Sequence, residues 1–70
     1  MKYILTDNTI NVDGRVLHQI KSVRSFGDVK EGDLGGFVES EKNLSHDRNA
    51  WVFGNAWVRD TTVSGDVSMY

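Results

Sequence analysis

Short apolar stretches separated by turn-forming residues run through the first forty positions, and a six-residue repeat of apolar positions follows. Lys2-Tyr3-Ile4-Leu5-Thr6 predicts a strand ended by Asp7-Asn8, and Thr9 to Val12 predicts a second. Asp13-Gly14 is the strongest hairpin signal, because a two-residue reversal needs positive φ, and Arg15 to Ile20 supplies the return strand with an extension to Val23. On it Val16, His18 and Ile20 share one face and Leu17, Gln19 and Lys21 the other, so alternation alone leaves the buried face open. Four glycines between Ser25 and Val38 exclude a helix and predict tight turns, with Phe26, Val29, Leu34 and Phe37 as buried anchors. Gly35-Gly36 reads as a packing turn rather than a phosphate loop, since no Lys-Ser or Lys-Thr pair follows.

From Asn43 the chain divides into units of six. Val38, Leu44, Ala50 and Ala56 form one column, His46, Val52 and Val58 a second, and Trp51 and Trp57 lie between them. Val63 comes one residue early, after which Val67 and Met69 restore the phase. A period of six is neither helical nor a plain alternation; it suits short strand segments separated by corners, three of which close one turn of a parallel β-helix. Inward Ala50 and Val52 then direct Trp51 outward, and Trp57 likewise. Outward tryptophans either pack on the N-terminal sheet or form a partner surface, so Trp51, Trp57 and neighbouring Arg59 are the candidate partner-binding residues.

Seventy residues permit a single domain, read as a β-rich cap over residues 1–42 and the repeat over 43–70. Cysteine is absent and there are two histidines, so neither a disulfide nor structural zinc reinforces so small a core, and no metal or cofactor is expected. Assembly is the remaining device. A homodimer is expected through the final repeat, with Val63, Val67, Met69 and Tyr70 at the interface. A net charge of −2 with both signs interspersed disfavours nucleic acid as partner. With no signal peptide or apolar span, a cytoplasmic location is expected.

The chemistry-bearing side chains are sparse. His18 reads as a sheet histidine and His46 as a cap on the apolar stack, while Glu39 and Glu41 share a strand face and read as solvated. No serine, histidine and carboxylate combine at an interpretable spacing, so no catalytic residue is assigned.

Taken together, Met1 to Thr6, Val12-Asp13-Gly14-Arg15, Phe26-Gly27-Asp28-Val29, the run Gly32 to Ser40, Asn43-Leu44-Ser45 and the two Asn-Ala-Trp-Val units resemble a family of small phage and prophage proteins. Those proteins carry Gly-Asn-Ala-x-Val repeats. The resemblance implies an all-β fold: a short cap leading into a truncated left-handed parallel β-helix of hexapeptide type, here of about one and a half coils. Outward aromatics, mixed charge and the lack of a catalytic set in such a phage-like chain point to a non-catalytic protein-protein interaction role, in the host cytoplasm if phage-encoded. Such a protein is expected to bind a host or phage protein, for instance as an inhibitor of a bacterial defence complex such as a CRISPR effector. A structural or assembly protein of a phage particle is the alternative, and a hexapeptide-type acyltransferase using His46 a more distant one.

Overall fold

The computed structural model describes residues 1–70 and is all-β, its one helical turn being a 3-10 turn at Glu41–Asn43. The first two strands, β1 (Tyr3–Val12) and β2 (Arg15–Ser22), form an antiparallel hairpin closed by Asp13 and Gly14 at φ 52° and 83°. Both positive dihedrals match the turn that suits the twist of the flanking strands. The break expected at Asp7-Asn8 is instead a bulge inside one strand. Leu5 pairs with Ile20 and Thr9 with His18, so residues 6–8 stand opposite Gln19 alone. Gln19 holds them there: its backbone carbonyl accepts from Thr6 Oγ1 at 2.8 Å and its side-chain oxygen from Asn8 Nδ2 at 2.7 Å.

Next comes β3 (Leu34–Val38), antiparallel to β2, and then β4 (Trp51–Val52), β5 (Trp57–Val58) and β6 (Ser68–Met69). One sheet has the order β1-β2-β3-β5 and a second the order β4-β6. The pairings of the C-terminal half are parallel: Phe37 with Trp57, Leu44 with Val63 and Trp51 with Ser68, at separations of 20, 19 and 17 residues. Three parallel pairings therefore join residues 34–52 to residues 57–69 as two layers.

Eleven buried residues form one continuous core between the sheets, reaching from Tyr3 and Ile20 through Val38, Leu44 and Trp51 to Val63. The Val38, Leu44 and Ala50 column is fully buried, as are Val52 and, nearly, Val58 in the second. Gly35 and Gly36 sit inside β3 rather than in a turn. A Cβ on Gly35 would stand 2.6 Å from the Val52 carbonyl oxygen, and one on Gly36 would stand 2.3 Å from that of Ala56, so only glycine admits this approach of backbones. Leu34, expected as an anchor, is 59% exposed: it opens β3 opposite Lys21, on the sheet face turned away from the core.

Candidate interaction surface

Pairing partners in a sheet share a face, and the register places Gln19, Phe37 and Trp57 in one row opposite the core-facing Val38 and Val58. Phe37 is buried there, as is Leu17 two residues before Gln19, yet neither belongs to the main core. Trp57 is 45% exposed at the end of that row. The Arg59 guanidinium lies 5.8 Å from the Trp57 ring centroid and pairs with Asp13 at 3.0 Å. Beside it Arg15 pairs with Asp60 at 2.5 Å and with Glu39 at 3.3 Å. The hydrogen bond and charge of Asp60 and the charge of Glu39 raise the Arg15 pKa above its ordinary value. These contacts tie the hairpin tip to the corner after β5 and leave the guanidinium groups charge-balanced around a half-exposed indole.

Trp51 does not belong to this surface. It is 1% exposed, with Phe26 edge-on at 5.3 Å between centroids and Tyr3 at 6.2 Å. Alternation within a six-residue unit predicts its outward position; the 26–29 turn and the first strand, which fold over that position, remove it from solvent. Val63 is likewise corrected from an interface residue to a core residue at 5% exposure, because its backbone pairs with Asn43 and Ser45 and seats the side chain beside the buried cluster. The other C-terminal candidates lie open: Val67, Met69 and Tyr70 are exposed, and the Tyr70 ring stacks on Phe53 at 4.8 Å.

The opposite end of the layers is closed by the first residues of the chain. Lys2, fully buried, directs its ammonium to the Ala50 carbonyl at 2.6 Å and the Arg48 carbonyl at 3.5 Å, with the Phe26 ring 5.0 Å away. Burial, with the Arg24 charge adding to it and Asp47 opposing it, lowers the Lys2 pKa. Tyr3 donates its hydroxyl to the Leu44 and Glu41 carbonyls, and burial with the nearby Glu41 charge pushes its pKa up to about 12. His46 stacks on Tyr3 at 4.1 Å, accepts the Lys2 backbone N–H at Nδ1 (3.1 Å) and directs Nε2–H to Glu41 at 2.8 Å. Both ring nitrogens thus have partners within the chain. His18 contacts the Thr6 carbonyl through Nδ1 at 3.0 Å.

A shallow groove lies between Glu39, Lys42, Asp60 and Thr62, with no hydrophobic residue among those lining it. Asn43 at its floor is occupied, accepting from the Glu39 and Ser40 amides and donating to the Thr61 carbonyl. No three acidic or histidine side chains converge as a metal site. No helix is long and apolar enough to cross a membrane.

Sequence reasoning missed Lys2 and Tyr3 as caps and Arg15 as the tie between hairpin and corner. Their partners lie 38 to 48 residues away for the caps, and Arg15 meets Asp60 across 45. The charge of Lys2 at the head of an apolar strand was the one local sign of a special environment. The chain matches no protein family model and no curated protein.

Proposed function

We propose that this chain is a non-catalytic protein-binding module, built on a short left-handed parallel β-helix, that engages a host or phage protein through the Trp57 face. The helical reading is supported by the three parallel pairings, whose separations of 20, 19 and 17 residues bracket the roughly 18 of three six-residue sides. Its handedness follows the family resemblance. The binding role rests on one observation: a tryptophan 45% exposed on a sheet face, with the Arg59 guanidinium over its ring and the surrounding charges paired. Trp and Arg are the residues most enriched among interface anchors, and a rim already neutralised within the chain suits a partner of mixed charge better than a polyanion.

Resemblance to phage and prophage proteins makes inhibition of a bacterial defence complex, such as a CRISPR effector, the concrete form of this role. Expression of the chain in a CRISPR-immune host should restore plaquing by a targeted phage. Trp57→Ala should abolish that restoration while the purified variant keeps its circular dichroism and melting temperature; truncating an anchor of this kind costs about 2 kcal/mol, or roughly 30-fold in affinity. Failure of the wild-type chain to protect phage rejects the inhibitor reading, and equal protection by both rejects the Trp57 face. A structural or assembly role in a phage particle is the second reading, which the same half-exposed Trp57 face would serve; its mark is the chain's presence in purified particles by mass spectrometry.

A further inference from the structure

Asp13-Gly14 closes the first hairpin, and Asp13 is the one aspartate or asparagine of the chain that a glycine follows. That dipeptide carries a covalent reactivity of its own. A bond from the Gly14 amide nitrogen to the Asp13 side-chain carbon Cγ closes a succinimide ring, and glycine, having no Cβ, leaves the approach unobstructed. The turn is accessible to water: the Asp13 side chain is 78% exposed.

Both reacting groups are nevertheless engaged. The Gly14 N–H donates to Asn11 Oδ1 at 3.0 Å, and Asp13 Oδ2 accepts from Arg59 Nη2 at 3.0 Å. Asn11 holds the nitrogen from within the hairpin, where its backbone is opposite Val16, whereas Arg59 holds the carboxylate from 46 residues along the chain. Ring closure needs the nitrogen and Cγ brought together in alignment. The nitrogen must therefore leave Asn11, and the carboxyl group, which turns toward Gly14 and loses an oxygen, must leave Arg59.

We infer that Asp13 is a site of aspartate isomerisation, guarded by Asn11 and Arg59, and that its reaction detaches the hairpin tip from Arg59. The Gly14 nitrogen bonds to Asp13 Cγ while its hydrogen and a carboxyl hydroxyl depart as water. Solvent water then adds to one of the two ring carbonyls, and nothing is oxidised or reduced. Addition at Cγ restores aspartate; addition at the former backbone carbonyl leaves the main chain running through Cβ and Cγ, which is isoaspartate. The turn becomes one carbon longer, so the two-residue reversal at φ 52° and 83° loses its fit to the strands. The carboxylate, now carried on Cα itself, is one carbon shorter and withdraws from Arg59. Arg59 pairs with no other carboxylate and stands over Trp57, so the change reaches the Trp57 face. The site itself stands whether or not that face binds a partner.

Isoaspartate at residue 13 is counted after incubation at neutral pH by peptide mapping with electron-transfer fragmentation, which separates the equal-mass isomers. The urea-unfolded wild-type chain sets the unguarded rate, and the folded chain should react about ten-fold more slowly. Asn11→Ala should speed the folded chain about five-fold, the effect of one freed hydrogen bond, and Arg59→Gln about two-fold, since an exposed ion pair holds less firmly. Asn11→Asp keeps an acceptor oxygen at the same place and should stay near the wild-type rate. Gly36→Ala, which weakens the fold without touching the turn, should speed the reaction less than Asn11→Ala. In the isolated isoaspartyl protein the Arg59 guanidinium resonances should shift, while those of Arg48, paired with Asp66 elsewhere, stay in place. Arg59→Gln and the isoaspartyl spectrum remain decisive even if Asn11→Ala fails to fold. A folded wild-type rate equal to the unfolded one, equal rates in wild type and Arg59→Gln, a Gly36→Ala rate matching Asn11→Ala, or unmoved Arg59 resonances would each overturn the inference.

Discussion

Gly36→Ala tests the packing of the two layers at the tightest place in the molecule. The new methyl would lie 2.3 Å from the Ala56 carbonyl oxygen and 2.6 Å from Val52 Cγ1. The first of these is backbone and cannot swing aside, so β3 and β5 must part by about 1 Å to reach an ordinary carbon-oxygen contact. That same oxygen accepts the Phe37 N–H at 3.0 Å, and the separation breaks this bond. Overpacking of a filled core costs about 1–3 kcal/mol and the lost hydrogen bond about 1 kcal/mol, against about 0.4–1 kcal/mol returned by the stiffer unfolded chain. The net loss is about 1–3.5 kcal/mol, a large share of the roughly 4–10 kcal/mol that a domain of this size holds.

Urea denaturation followed by tryptophan fluorescence measures it, since buried Trp51 reports on the core. With a slope near 1 kcal/mol per molar, the midpoint should fall by about 1–3.5 M. Gly54→Asn serves as the control: φ is 57°, a region asparagine tolerates, and nothing lies within 4 Å of the added carbon, so its midpoint should move by less than about 1 M. Equal midpoints for wild type and Gly36→Ala would refute the reasoning, because they would mean that the layers tolerate the extra volume and that glycine is dispensable here.

The cap yields a second expectation. A hydroxyl whose pKa rises to about 12 on folding favours the folded state fully below about pH 10 and loses that advantage as pH climbs to about 12, a change of about 2–3 kcal/mol. Lys2, with its pKa lowered, acts in the opposite sense and only below its ordinary 10.5, so the window above 10.5 isolates Tyr3. Stability titrated across that window should fall in the wild type and stay flat in Tyr3→Phe, which itself costs about 1–3 kcal/mol at neutral pH through the unpaired Leu44 carbonyl; a parallel fall in both chains rejects the assignment. Ala50→Leu, at a fully buried site, should lower stability by about 1–3 kcal/mol and Ala56→Leu, half-buried, by distinctly less; matched denaturation midpoints for the two variants count against the observed burial.

Local chemistry sufficed for several features of this chain. Asp13-Gly14 specifies a hairpin because both residues accept positive φ, and glycine spacing excludes helix from 25 to 38, since neither effect depends on anything distant. Of the columns drawn with a six-residue period, Val38, Leu44, Ala50, Val52 and Val58 lie inside, whereas Ala56 is only half-buried and Val67 and Met69 are exposed. Tertiary structure decided the rest. Trp51 and Trp57 occupy equivalent places in identical Asn-Ala-Trp-Val units, yet one is 1% exposed and the other 45%. The difference lies in what folds over each: Tyr3 and Phe26 cover the first, and only Arg59 stands over the second. Lys2 and Tyr3 became caps for the same reason, since the carbonyls they satisfy belong to residues some forty positions away and are brought to them only by the closing of the hairpin on the layers. A repeat determines where its own side chains point; whether solvent or protein waits there depends on contacts between segments that no local pattern encodes.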